Sequence, residues 1–172
     1  MDTQGRSQTD EVLMLDEAME APPIVRFDER RMHIRAYNYW ASLLGDRSLP
    51  NIEDLNPTEI QDFGSHSVLL DFTAGIEDPT IAFMGSALAA QCDIAMPIDK
   101  ASQIPARTLL SRLTDHYLQI IANAAPIGFE AEFTNQRGSE IMYRGIMMPF
   151  STDDDTIDFV YGVINWKEVA SD

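Results

Sequence analysis

The last third of the chain does most to limit what it can fold into. Phe129, Ala131 and Phe133 alternate with Glu130, Glu132 and Thr134, the two-residue period of a strand with one apolar and one polar side. Asn135-Gln136-Arg137-Gly138 reads as a turn, followed by a long strand over Glu140–Phe150. An acidic turn (Ser151–Thr156, STDDDT) then leads into a last strand over Asp158–Trp166. Strands joined by connections this short must run antiparallel, because a parallel pair needs a crossover of roughly a dozen residues or more.

Upstream the period is helical. Met32, Ala36, Tyr37, Trp40, Leu43 and Leu44 recur at steps of three and four, which makes one buried stripe. Asp28 is placed to cap this helix, with Phe27 and Met32 where a hydrophobic staple belongs. Gly45 stops it, since glycine takes a positive φ without penalty. Asn56-Pro57 predicts a short helix over PTEIQDF, capped by Asn56. Ser67–Thr73 and Thr80–Met84 read as strands joined by a turn at Ala74–Pro79. Gly85–Cys92 predicts a short helix and Pro97–Ser102 a loop. Pro105–Asn123 predicts a single helix with Leu109, Leu110, Leu113, Tyr117, Ile120, Ile121 and Ala124 on its buried side. Hairpin-linked strands with helices segregated to one side imply an α+β domain built on one five-stranded antiparallel sheet.

Residues 1–26 form an N-terminal extension, a tail or a short helix, and 27–172 the folded domain. Val12, Leu13, Leu15 and Met19 would make one apolar side of that helix, which is too short to hold its structure in water without packing on something.

Charge narrows the function. The chain has 172 residues, of which 12 are basic and 28 acidic, giving a formal net charge of −16. Such a surface repels phosphate backbones and anionic lipid, and no basic stripe offsets it. Nucleic acid and membrane are therefore not expected partners. No apolar run approaches the ~20 residues of a bilayer span, and MDTQGRSQTDEVLMLDEAME lacks the basic-then-apolar pattern of a signal peptide. The lone Cys92 excludes an internal disulfide, so a cytoplasmic location is expected.

Catalysis has no candidate residues. His33, His66 and His116 form no paired metal-ligand spacing, and Gly64-Ser65-His66-Ser67 is not the Gly-x-Ser-x-Gly of a nucleophile elbow. Asp153-Asp154-Asp155 lacks the glycine and glutamate of a calcium loop. Cys92, among small apolar residues, reads as packing. No metal site is expected, and no cofactor is required.

Two strands, short helices, a connecting helix and three strands follow the order of the PAS fold. Tyr39-Trp40, the turn Gly45-Asp46-Arg47-Ser48-Leu49-Pro50, Asn56-Pro57, Asp71, Gly85-Ser86 and the run Met148–Thr156 together resemble a PAS family of bacterial signalling proteins, over roughly Phe27–Glu168. The chain departs from that pattern in two places. TIAFMG lacks the arginine common before the glycine, and Asp93–Pro97 lacks a second glycine. The Asn-Cys-Arg-Phe-Leu-Gln run of flavin-binding members is absent, while a histidine on the connecting helix, here His116, holds haem in some. On helical periodicity Tyr117 lies better on the buried stripe than His116.

The resemblance implies a non-catalytic sensory or regulatory module that acts on a signalling protein partner, and a homodimer seamed by Val12, Leu13, Leu15 and Met19. A sheet under helices tends to enclose an apolar ligand cavity. Its candidate lining is Phe83, Leu113, Tyr117, Phe133, Tyr143, Met148 and Tyr161, which would otherwise be ordinary core. Met142, Met147 and Met148 could serve an adaptable binding face. The alternatives are a small α+β enzyme with an acid–base cavity, and a haem or ligand sensor.

Overall fold

The computed structural model describes residues 31–169. Helix α1 (Met32–Leu44) turns His33, Ile34, Ala36, Tyr37 and Trp40 inward, and Met32, Leu43 and Leu44 are half-buried beside them. Asp28 and Phe27, expected to cap and staple it, lie outside the described residues, as does the whole extension 1–26. The helix stops at Gly45, whose φ of 59° suits a residue without a side chain. Two residues on, Arg47 donates to the carbonyls of Leu43 (2.9 Å) and Leu44 (3.2 Å), filling acceptors that the helix end leaves open.

The helix expected over PTEIQDF is instead one 3-10 turn, Pro57–Glu59. The Asn56 side-chain oxygen accepts from the Thr58 hydroxyl at 2.8 Å, so the backbone amides that would start an α-helix go uncapped.

Strands β1 (Ser67–Asp71), β2 (Thr80–Met84), β3 (Ile127–Thr134), β4 (Glu140–Ser151) and β5 (Ile157–Val169) form one sheet in the order β2-β1-β5-β4-β3. Every pairing is antiparallel. A bulge between Leu69 and Leu70 bends the β1–β2 edge, and the other edge strand, β3, carries Glu130 and Glu132, charges that discourage pairing with another chain. Gly85, just past β2, is obligatory: a Cβ there would stand 2.3 Å from the Ser65 carbonyl oxygen. This is the α+β, PAS-like fold.

The helices do not lie on one side, as the sequence suggests, but on both. One face of the sheet presents Leu69, Ile146, Met148, Phe150, Tyr161 and Val163 to Ala36, Tyr37 and Trp40 of α1. The other presents Val68, Leu70, Ile141, Tyr143, Met147, Val160 and Ile164 to α2 (Ser86–Gln91), α3 (Leu109–Thr114) and α4 (Tyr117–Asn123). Strands with apolar residues at successive positions, such as Gly145–Phe150, are buried on both sides and demand two covers.

The single helix expected over Pro105–Asn123 is two helices. Thr108 caps α3, its hydroxyl accepting from Ser111 N at 3.1 Å, so the helix starts after Pro105. Thr114 Oγ1 bonds back to the Leu110 carbonyl at 2.9 Å, a contact that bends helices, and the chain leaves helical geometry before His116. The break rotates the residues of α4 relative to those of α3. His116 is buried, Tyr117 is only half-buried with its hydroxyl on the Ile76 carbonyl (3.1 Å), and Ala124 is exposed in a left-handed conformation. The expectation that Tyr117 occupies the buried stripe ahead of His116 is thus reversed.

Trp40 fixes α1 to the sheet. Its indole N–H donates to the buried Pro149 carbonyl at 2.8 Å, and its ring packs on Tyr37 with centroids 6.1 Å apart. Trp40→Ala should cost on the order of 3–5 kcal/mol in denaturant unfolding. A midpoint equal to that of wild type would show that α1 does not depend on this anchor.

Candidate functional site

The seven expected pocket residues fall on opposite sides of the sheet. Phe83, Met148 and Tyr161 lie in the layer under α1. Leu113, Tyr117, Phe133 and Tyr143 lie in the layer under α3 and α4. The pleat separates them, since Met148 and Tyr161 face each other across β4–β5 while Tyr143 sits at odd spacing from Met148.

In the α3–α4 layer the aromatic rings cluster, with Tyr143 edge to face against two phenylalanines. Tyr143 lies 6.1 Å from Phe129 and 5.8 Å from Phe133, centroid to centroid, while Phe72 packs on Tyr117 at 5.2 Å. Arg112 covers the outer edge of this group. Its guanidinium carbon is 5.6 Å from the Phe133 centroid and 5.7 Å from that of Tyr143, and its Nε donates to the Tyr143 hydroxyl at 3.1 Å. Sequence reasoning missed Arg112 because its partners lie on strands distant in the chain. No local pattern marks it, since a charged residue next to Leu113 on a helix is ordinary.

His116 does not fit a haem ligand. One ring face stacks on Phe129 at 4.6 Å, Nδ1 faces Gln119 Oε1 at 3.3 Å, and the residue is 5% exposed. Burial pushes its pKa down, outweighing the opposing pull of Gln119 and Asp115, so the ring is neutral at pH 7. Cys92 closes α2, its buried sulfur accepting from Leu110 N at 3.4 Å, and burial raises its pKa. It serves as packing.

His66 is half-buried, its ring 4.6 Å from that of Trp166 and its Nδ1 3.1 Å from Ser65 Oγ. In the acidic turn, Asp153 Oδ1 accepts from Thr156 N (2.8 Å), Asp155 N (3.0 Å) and the Ser151 hydroxyl (2.9 Å). These bonds hold its pKa at about 2 and commit the carboxylate to the turn. Among the described residues no group of three or more His, Cys, Asp or Glu side chains is arranged to hold a metal, and no helix is long and apolar enough to cross a membrane.

The α1 layer contains one anomaly. The Tyr161 hydroxyl is buried without a hydrogen-bond partner among the described residues, and desolvation pushes its pKa far up. Ser67 works against that shift without reversing it, and its own hydroxyl proton goes to the Gly64 carbonyl at 2.7 Å.

No family model matches the sequence, and no curated protein matches it. Solved structures similar in backbone course include the following two. One is the light-state structure of the blue-light photoreceptor Aureochrome1 LOV, at 13% identity over 62% of this chain and 82% of that one, with a TM-score of 0.42. The other is a variant of Vivid, at 12% identity over 83% of this chain and 99% of that one, with a TM-score of 0.43. Neither similarity bears on what this chain binds.

Two outcomes test the buried groups. His116 has a folded pKa below the ~6.5 of an unfolded histidine, so the unfolded chain binds more protons between the two values. Its contribution is fully present above pH ~6.5 and is lost as pH falls below it. Thermal melts from pH 7.5 to 5.5 should show a melting temperature that drops less in His116→Phe than in wild type; equal drops would mean that His116 takes up its proton in the fold as readily as in the unfolded chain. Tyr161→Phe, which removes an unpartnered hydroxyl, should leave stability unchanged or raise it by about 1 kcal/mol, and a loss of that size would reveal a partner.

Proposed function

We propose that the chain is a non-catalytic regulatory module of bacterial cytoplasmic signalling that works by contact with another protein. The observation that carries this reading is the half of one sheet face that α1 leaves uncovered among the described residues. There Met142, 46% exposed, sits in register with Glu132 on β3 and Lys167 on β5, next to Arg144, which pairs with Glu130 at 2.8 Å. An exposed methionine with a charged rim resembles the composition of a contact surface. The ordered motifs Tyr39-Trp40, Gly45–Pro50 and Asn56-Pro57 support the signalling context by resemblance.

Any small apolar ligand of the module would belong with Leu113, Tyr117, Phe133 and Tyr143, which share one layer, whereas Phe83, Met148 and Tyr161 serve the packing of α1.

The module is proposed to act as a homodimer. Arg47, at the end of α1, pairs with Asp154 in the β4–β5 turn, so the helix starts towards the other end of the sheet, where the uncovered half lies. The segment before α1 carries Val12, Leu13, Leu15 and Met19, apolar residues that gain from burial against a sheet face or a second subunit. Light scattering on the full chain and on a version starting at Ile24 checks this. The full chain should have twice the protomer mass and the shorter one the protomer mass. Equal masses would remove the segment from the dimer seam.

A further inference from the structure

In a chain this acidic an arginine without a carboxylate partner stands out. Arg35, Arg47, Arg137 and Arg144 each pair with an aspartate or glutamate. Arg107 and Arg112 make no ion pair among the described residues, and they line the same open concavity of about 420 Å3 between the start of α3 and the end of β3. Phe133 and Ser111 also line it, the Ser111 hydroxyl being committed to the Thr108 backbone.

Arg112 is held by its side chain and Arg107 by its backbone. The Arg112 guanidinium is held over Phe133 and Tyr143 by ring contact and by the bond from its Nε to the Tyr143 hydroxyl, which leaves the terminal nitrogens as open donors. Arg107 takes a φ of 59°, rare for a residue with a side chain, and its carbonyl accepts from Gln136 N at 3.0 Å, which ties this loop to the β3–β4 turn. Asp115 lines the same concavity without pairing with either arginine. Two guanidinium groups and one carboxylate leave a local charge of +1 (2 − 1) within a molecule of net charge −16.

We infer that this concavity binds a small organic monocarboxylate, its carboxylate between Arg107 and Arg112 and its apolar body on the Phe133 ring. The planar fork of an arginine matches a carboxylate with two parallel hydrogen bonds. Asp115 selects against a second negative charge, so a phosphate dianion fits poorly. The remaining surface charge repels anions in general but is screened beyond roughly 8 Å at physiological salt, so recognition rests on these near groups. The inference stands apart from the partner-contact reading, because the uncovered sheet face is on the other side of β4.

Calorimetric titration of the full chain tests it, with benzoate as probe and benzamide and inorganic phosphate as controls. Benzoate should bind saturably, and benzamide, with the same ring but no charge, at least about tenfold more weakly. Arg107→Ala, an exposed loop change, should weaken benzoate about tenfold, and Arg112→Lys should weaken it as well, because it keeps the charge but loses the fork. Arg144→Ala, which removes an equal charge on the opposite face, should change nothing. The assignment is overturned if benzoate does not bind or if benzamide binds equally well. It also fails if phosphate binds more tightly than benzoate, or if Arg107→Ala has no more effect than Arg144→Ala. Should Arg112→Lys not fold, Arg107→Ala alone decides.

Discussion

The β4–β5 pairing is the interaction on which both layers of the molecule depend. Its register runs from Glu140 opposite Val169 to Ser151 opposite Ile157, and each strand gives alternate residues to opposite covers. Ile146, Met148, Phe150, Tyr161 and Val163 go to α1, while Ile141, Tyr143, Met147, Val160 and Ile164 go to α3 and α4. A slip of one residue would exchange the two sets. Glycines tune the fit on the second side: a Cβ on Gly162 would come within 3.0 Å of Leu113, so the absent side chain lets α3 sit directly on β5. Hydrogen-bond ladder and side-chain packing thus enforce the same register.

The strands were legible in the chain because their signal is local. Alternation at Phe129–Thr134 and the turn residues at 135–138 and 151–156 carry the hairpins, and Thr80–Met84 is a strand with the bounds that its residues suggest. The helices on two faces were not legible, since an unbroken apolar run such as Ile146-Met147-Met148 says that both sides are covered but not by what. The break between α3 and α4 escaped for a related reason. Leu113, Tyr117 and Ile120 keep a helical period across it, and the interruption comes from a Thr114 hydroxyl turning back on its own backbone. Of the candidate site, the aromatic members were readable from alternation. Arg107 and Arg112 were not, because a lack of ion-pair partners appears only when distant segments are brought together.

The acidity has a structural side as well. Several carboxylates are spent on turns. Asp71 accepts from the Thr73 amide and hydroxyl, Asp78 from the Ser102 amide and hydroxyl, Asp153 from three donors in its own turn, and Asp158 from Thr152. At Asp78 and Asp153 these bonds favour the ionised form and hold the pKa below the ordinary carboxylate value. Part of the negative charge is thereby the means by which short connections hold their shape.

Tyr143 lies between Met142 and Arg144 on β4, and the pleat sends it to the α3 side while its two neighbours face the uncovered side. The proposed ligand side and the proposed partner side therefore share one strand without sharing a residue. Descendants of this sequence can alter the residues at 142 and 144 to meet a new partner while the aromatic cluster under Arg112 stays intact, or alter the cluster while the partner stays the same. Evolution can retune either surface alone, and one short ribbon of backbone is all that links the two histories.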